Sequence, residues 1–385
     1  MEWHIITGEF PPVTGGVSDY SGVIAAGLAS AGETVHVWCP ASIRGSSKFA
    51  GVQVHDSGGS WTGADLVRLD AALNRTPAPR RLLVQWVPHL YGRRSLNLAF
   101  CRWLRRRGRC GDHLELMVHE PYLAFGEGLI RQDIAAAVQR AMVMLLLSAA
   151  QRVWVAIPAW ADHLRSWTLG RSIPFCWLPV PSTVPVAPAS EAVADHRKQL
   201  LRGSDGIIAG HFGTYSKEVR GDLRKVLPRV LDAAPEIQVL LLGRGSQEAL
   251  QELCETTGTD RSRVVASGPL GGLELSYHLQ ACDLMMQPYI DGASTRRTTL
   301  MAALAHGRPV VTTTGRLSEA FWTGCEAITA VPAGDAAAMV QSTVALARDP
   351  ERRRQLSVAA KCLYDRRFGL PNVIHALRSP TCTIA

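Results

Sequence analysis

The sequence predicts an α/β protein of two doubly wound domains, each built on a parallel sheet, facing each other across a cleft. Three observations lead there. Short apolar runs alternate with amphipathic helical stretches in both halves of the 385-residue chain. A glycine-rich loop follows the first apolar run of each half. Between the halves, residues 179–190 (PVPSTVPVAPAS) carry four prolines, which neither a helix interior nor a central strand accepts. The expected domains are 1–180, a linker at 181–190, 191–365, and a tail at 366–385 that packs back on the first domain.

The first half opens with a strand at Trp3–Thr7 and a loop at Gly8–Gly16 punctuated by Pro11-Pro12 and Gly15-Gly16. Ser18 is a candidate cap for a helix to about Ser30, with Gly32 as its stop and a strand at Thr34–Trp38. Strand, glycine-rich loop, helix and strand make a βαβ unit. Further strands are expected at Arg81–Val87, Leu114–His119 and Arg152–Ile157. The second half repeats the rhythm with strands at Ile207–His211, Gln238–Leu242, Val264–Ala266, Leu284–Gln287 and Pro309–Thr313. Its helices are expected at Asp222–Leu231, Gln247–Thr256, Leu273–Ala281 and Ser294–His306.

Composition narrows the function. Hydrophobic residues at 47% fit a globular chain rather than a disordered one. Forty-one Lys+Arg against 33 Asp+Glu leave a net charge of +8, which favours phosphates, nucleotides, acidic glycans or a membrane surface as partners. The basic stretch Arg102–Arg109 reads as a solvated helix end or as a contact to an anionic surface. Nine cysteines include no CxxC pair, so neither a metal cluster nor a disulfide framework is expected, and the cytoplasm is the simpler location. The longest apolar run, Ala141–Ala150, spans ten residues. A membrane span needs about 20, so this is a core helix. MEWHIITGEF has no basic segment followed by an apolar stretch, so no signal peptide is expected.

Four segments carry candidate chemistry. Gly15-Gly16 sit before a helix start, where free amides and the dipole suit a phosphate or oxyanion. His119-Glu120 close a strand whose end should border a ligand crevice. Asp291-Gly292-Ala293-Ser294-Thr295-Arg296-Arg297 open a predicted helix with two hydroxyls and two guanidiniums, a combination suited to a diphosphate. Gly213–Arg220 (GTYSKEVR) offers Lys217 or Arg220 to a leaving diphosphate. The nucleotide-binding, zinc-protease and serine-hydrolase signatures GxxxxGK[ST], HExxH and GxSxG are absent.

These segments together resemble the GT-B glycosyltransferases, in particular the retaining family 4 group. EFPPVTGGVSDYSGVIAAGLASAGETVHVW resembles that family's opening loop and helix, LLLGRGSQEAL its second-domain turn at Gly243, and ALAHGRPVVTT its most specific motif. His119 falls where the family keeps a histidine on the donor sugar. The family's two glutamates, eight positions apart, correspond to Ser294 and Ala302 here, and Thr214 stands in the place of its arginine. The resemblance implies a metal-independent, retaining transfer of a sugar from a nucleotide diphosphate sugar, as co-substrate and without further cofactor, to an acceptor hydroxyl or amine. Together with the cations read above, it gives His119, Arg296 and Asp19 as the expected catalytic groups. Gly15, Gly16, Lys217, Arg220, Gly243, Ser294, Thr295 and Arg297 are then the donor-binding residues. The acceptor is a glycan, a lipid-linked molecule or a small molecule, with peripheral contact at the inner membrane face and no nucleic acid. The alternatives are a non-catalytic nucleotide- or glycan-binding subunit, favoured by the two missing glutamates, and a sugar-nucleotide epimerase.

Overall fold

The computed structural model describes residues 2–40, 49–92, 94–126, 130–188, 191–201 and 205–381. The chain folds as two compact units, Met1–Val180 with Leu370–Ala385, and Pro181–Gly369. Each unit holds one fully parallel sheet.

The first unit contains β1 (Trp3–Ile6), β2 (Val35–Cys39), β3 (Val52–Asp56), β4 (Arg81–Trp86), β5 (His113–Val118), β6 (Arg152–Val155) and β7 (Phe175–Trp177). Their order across the sheet is β3-β2-β1-β4-β5-β6-β7. The helices are α1 (Gly16–Ser30), α2 (Gly63–Leu73), α3 (Leu98–Arg109), α4 (Ile130–Leu147) and α5 (Pro158–Arg165). Strands β3 and β7 carry no clear sequence signal. Four of the five β3 residues are not fully buried, and β7 has only three residues, so neither presents the apolar run of a central parallel strand. The N-cap of α1 is Gly15, not Ser18. Ser18 lies within the first turn, its hydroxyl donating to the Val13 carbonyl at 2.5 Å.

The basic stretch at 102–109 forms the end of α3, and part of it is turned inward. Arg107 is 3% exposed. Its Nε donates to Asp112 at 2.6 Å, Arg80 reaches the other Asp112 oxygen at 2.7 Å, and Asp70 binds both Arg106 and Arg107. Buried charges persist when paired and hydrogen-bonded in this way.

The second unit contains β8 (Ile207–Phe212), β9 (Ile237–Leu242), β10 (Val264–Ala266), β11 (Leu284–Gln287), β12 (Val310–Thr314) and β13 (Thr329–Pro332), in the order β10-β9-β8-β11-β12-β13. Its helices are α6 (Glu191–Leu200), α7 (Lys217–Ala233), α8 (Ser246–Thr257), α9 (Gly272–Ala281), α10 (Thr298–Ala305), α11 (Ala336–Arg348) and α12 (Pro350–Leu363). Alternate residues of β9 feed two cores. Val239 and Leu241 join Leu227, Val230, Leu253 and Met339 on one face. Leu240 and Leu242 join Leu279, Met301, Leu304 and Trp322 on the other. Burial on both faces is why these strands read as continuous apolar runs.

The last helix, α13 (Leu370–Arg378), belongs to the first unit. Arg81 donates to the Leu377 carbonyl at 2.6 Å and Arg152 to the Ser379 carbonyl at 2.9 Å. Gly27 of α1 lies so close to Ile374 that a Cβ there would sit 2.8 Å from its side chain. No helix among the described residues is long and apolar enough to cross a membrane. Cys176 in β7 is disulfide-bonded, against the expectation of reduced cysteines throughout, while seven other described cysteines are free thiols.

Buried histidines, His4 and His211 among them, make stability depend on pH. His4 is fully buried and accepts the Trp38 indole N–H at 3.1 Å, and His211 is 2% exposed. Burial pulls each down from 6.5 to about 3, with His36 next in effect on His4. The folded chain therefore refuses protons that the unfolded chain takes up between about pH 6.5 and 3, so stability falls as pH falls through that window. Each should cost about 2 kcal/mol at pH 5 relative to pH 7, with Glu319, whose carboxyl is raised by burial, acting in the opposite sense. Urea unfolding at the two pH values is expected to give the smaller stability at pH 5. Equal stabilities would contradict this reading.

Candidate functional site

In an open parallel sheet, ligands sit beyond the carboxyl ends of the strands, where the strand order reverses. In the first unit that point lies between β1 and β4, and in the second between β8 and β11. Each unit therefore has one such edge.

In the first unit the loop after β1 leads to the α1 N-terminus. Glu9 folds back onto it: Glu9 Oε1 accepts the Ser18 backbone N–H at 2.9 Å. A Cβ on Gly15 would lie 2.5 Å from the same oxygen. A helix N-terminus favours an anion, and here the chain's own carboxylate takes that place. Gly15 is thus explained by close approach to Glu9, not by room for an external oxyanion. Gly16 has open space where a side chain would stand, and Asp19 is exposed on α1.

His119 follows β5 and is held from three sides. Its Nε2 lies 2.8 Å from Gln85 Oε1, its carbonyl accepts from the Trp160 indole at 2.8 Å, and the Tyr20 ring meets it edge-on at 4.8 Å. Burial pulls its pKa down to about 3. The ring is neutral at pH 7, with Nε2–H donating to Gln85 and Nδ1 left as an acceptor. It is suited to receiving a hydrogen bond from a hydroxyl, not to serving as a resident acid. Gln85 and Tyr20 are fully buried, and Gln85 Nε2 and the Tyr20 hydroxyl have no hydrogen-bond partner among the described residues.

In the second unit, α7 begins at Lys217 under a Ser216 cap, earlier than the expected helix start at Asp222. Lys217 is exposed at the first helical position. Arg220 pairs with Glu252 at 3.0 Å, a carboxylate it shares with Arg224 at 2.6 Å. Gly243 has φ +105, and a Cβ there would lie 2.4 Å from the Gly213 carbonyl. Only glycine lets the loops after β8 and β9 touch at this point.

The segment after β11 departs most from expectation. The helix opens at Thr298, not at Ser294. Gly292 takes φ +85, the Ala293 N–H goes to the Thr313 carbonyl at 2.6 Å, and the Thr295 N–H goes to Glu319 Oε1 at 2.9 Å. The Arg297 N–H closes a turn on the Ser294 carbonyl at 3.0 Å. These amides are engaged within the chain and do not form the helix-start cradle that the sequence suggests. Ser294 and Thr295 are fully buried, and the Thr295 hydroxyl also donates to Glu319.

What this segment offers an anion is its guanidiniums. Asp291 gathers three of them: Arg296 at 3.3 Å, Arg297 at 3.7 Å and Arg316 at 2.8 Å. Arg297 also lies over the Tyr289 ring at 4.8 Å. Three positive charges around one carboxylate leave local positive charge at the carboxyl edge of β11 and β12. Arg316 is 71% exposed and comes from the loop after β12, so its sequence distance hides it. Glu9, Glu319 and Gln85 escape sequence reasoning for the same reason: each acts on a partner that only the fold brings near.

Comparisons with known proteins agree with this architecture. Residues 205–349 match the family described as glycosyl transferases group 1. A phosphatidyl-myo-inositol mannosyltransferase from Mycobacterium leprae (strain TN) is 25% identical over 268 residues, covering 66% of this chain and 69% of that one. The sucrose-phosphate synthase of Thermosynechococcus elongatus superposes with a TM-score of 0.71 at 16% identity, covering 98% and 97% of the two chains. Anabaena Alr3699/HepE, solved in complex with UDP and glucose, gives 0.69 at 15% identity and 98% coverage of both. Two Rossmann-like units with parallel sheets define the GT-B fold. The stretch matched by that family, residues 205–349, lies within the second unit.

The clasp beside the arginines is tight. A Cβ on Gly292 would lie 2.2 Å from the Gly315 backbone nitrogen, and its φ disfavours any L side chain. Gly292→Ala is expected to lower stability by roughly 2–4 kcal/mol, strain and overpacking combined, measured by urea unfolding. A loss under about 0.5 kcal/mol, the size of an ordinary surface change, would show that the clasp is not as close as described.

Proposed function

We propose that this chain is a glycosyltransferase whose second unit binds the diphosphate of a nucleotide sugar and whose first unit receives the acceptor. The observation that carries the reading is the convergence of Arg296, Arg297 and Arg316 on Asp291 beside the β8/β11 switch point. A nucleotide diphosphate sugar brings negative charge to that place and gains more as the sugar departs. Guanidiniums are weakly hydrated, always charged and able to bind phosphate oxygens in pairs. They stabilise the leaving diphosphate more than the bound donor, which is what accelerates the step. The UDP bound to Anabaena Alr3699/HepE and the mannosyl transfer named for the Mycobacterium leprae relative support a nucleotide-sugar hexosyl donor.

In this proposal Arg296 is the principal leaving-group cation, with Arg297, Arg316 and Lys217 assisting. Neutral His119 accepts a hydrogen bond from a sugar hydroxyl, and exposed Asp19 meets the acceptor. Retention is the outcome implied by the family 4 resemblance. The arginines supply the positive charge that a divalent cation would otherwise bring, so transfer should persist in excess EDTA.

A second reading has one specific observation behind it. Ser294 and Ala302 occupy the two places where the resemblance expects glutamates, and both are fully buried. A binding subunit without turnover would accommodate that loss. Purified protein offered a panel of nucleotide sugars with candidate acceptors separates the readings, because transfer releases nucleoside diphosphate and binding alone does not. Arg296→Ala is expected to lower kcat/KM on the active donor by about 10²–10³. Unchanged turnover in that variant would remove Arg296 from its assigned role.

A further inference from the structure

We propose that Glu319 is a positioning residue for the diphosphate site, fixing the segment that carries Arg296 and Arg297. The inference rests on the reading of that segment as the donor-phosphate site. Glu319 stands in the loop after β12, 24 residues beyond Thr295, and is 8% exposed. Its Oε1 accepts both the backbone N–H of Thr295, at 2.9 Å, and the Thr295 hydroxyl. Its Oε2 accepts the Trp322 indole N–H at 2.8 Å. A carboxylate taken out of water is costly unless its oxygens are satisfied, and here neutral donors satisfy both. Burial pushes its carboxyl up from the ordinary value. Both oxygens point into the protein, so Glu319 does not itself face a donor sugar.

The place of this bond is what gives it a role. Residues 291–293 are clasped to the β12 loop at three points: Ala293 N–H to the Thr313 carbonyl at 2.6 Å, Leu317 N–H to the Asp291 carbonyl at 2.9 Å, and the close approach of Gly292 to Gly315. Beyond Ala293, Glu319 holds Thr295, the residue directly before the two arginines. The chain then enters α10 at Thr298. This bond fixes the backbone between the clasp at Ala293 and the helix start, immediately before the two arginines. A carboxylate thus returns beside Ser294, one of the two places where the family glutamates are missing. It comes from another point of the chain and works on the backbone, not on a sugar.

The test uses the full chain with inorganic pyrophosphate and UDP as probes, by titration calorimetry, on the wild type, Glu319→Gln, Thr295→Val and the double variant. Thermal midpoints without ligand are recorded for each. Thr295→Val keeps the backbone N–H bond and so guards against a Glu319→Gln protein that does not fold. Each single change should weaken pyrophosphate binding about tenfold. The double variant should be weaker than the worse single one by less than the sum of the two losses, since both changes act on the same Glu319–Thr295 pair. On an active donor the loss should appear in kcat as well as KM, since the arginines act more on the leaving diphosphate than on the bound donor, and Glu319→Asp should recover part of it. A folded Glu319→Gln protein with pyrophosphate affinity within twofold of wild type, or fully additive losses in the double variant, would overturn the positioning role while leaving the donor site standing. A wild-type protein that binds neither probe would overturn the donor site itself, and this inference with it.

Discussion

The arrangement depends on one electrostatic constraint: three guanidiniums share a single carboxylate at the carboxyl edge of the second sheet. Asp291 cannot neutralise Arg296, Arg297 and Arg316 together. Guanidiniums do not release their protons near neutral pH, so the excess charge persists. Like charges at this spacing repel, and the segment remains ordered because its backbone is tied down elsewhere. The ties are hydrogen bonds from Ala293 to Thr313, from Leu317 to Asp291 and from Thr295 to Glu319. A cationic cluster tied down in this way is preorganised for an anion, as the proposed donor site requires.

The edge of the first unit works differently. There the helix start that would suit an anion is occupied by Glu9, whose carboxylate accepts the Ser18 N–H. Nearby chemistry is neutral: His119 is kept uncharged by burial, and Gln85 sets which ring nitrogen carries its proton. The first edge therefore combines carboxylates with a neutral imidazole, while the second carries guanidiniums.

Much of the fold was legible in the sequence because parallel strands buried on both faces leave continuous apolar runs. Val264–Ala266 and Leu284–Gln287 fall where those runs stand. β3 and β7 escaped because edge strands, being half-exposed or short, carry no such run. The start of α10 was misplaced for a physical reason. Ser294 and Thr295 look like caps, but β12 and Glu319 claim the neighbouring amides, and the helix waits until Thr298. Within the site, Arg296 and Arg297 were readable as a local motif. Arg316, Glu319 and the blocking role of Glu9 depend on contacts that no local pattern encodes. Arg220 was readable as a cation, but its carboxylate partner Glu252 in α8, shared with Arg224, was not.

The central claim is that the guanidiniums around Asp291 are a diphosphate receptor. It is tested most directly by a crystal structure of the protein soaked with UDP. Diphosphate density within hydrogen-bonding distance of Arg296 and at least one of Arg297 and Arg316, with those side chains drawn from Asp291 toward the phosphates, is the result this account requires. Diphosphate density on a different part of the second unit, with the three arginines still closed on Asp291, would contradict it.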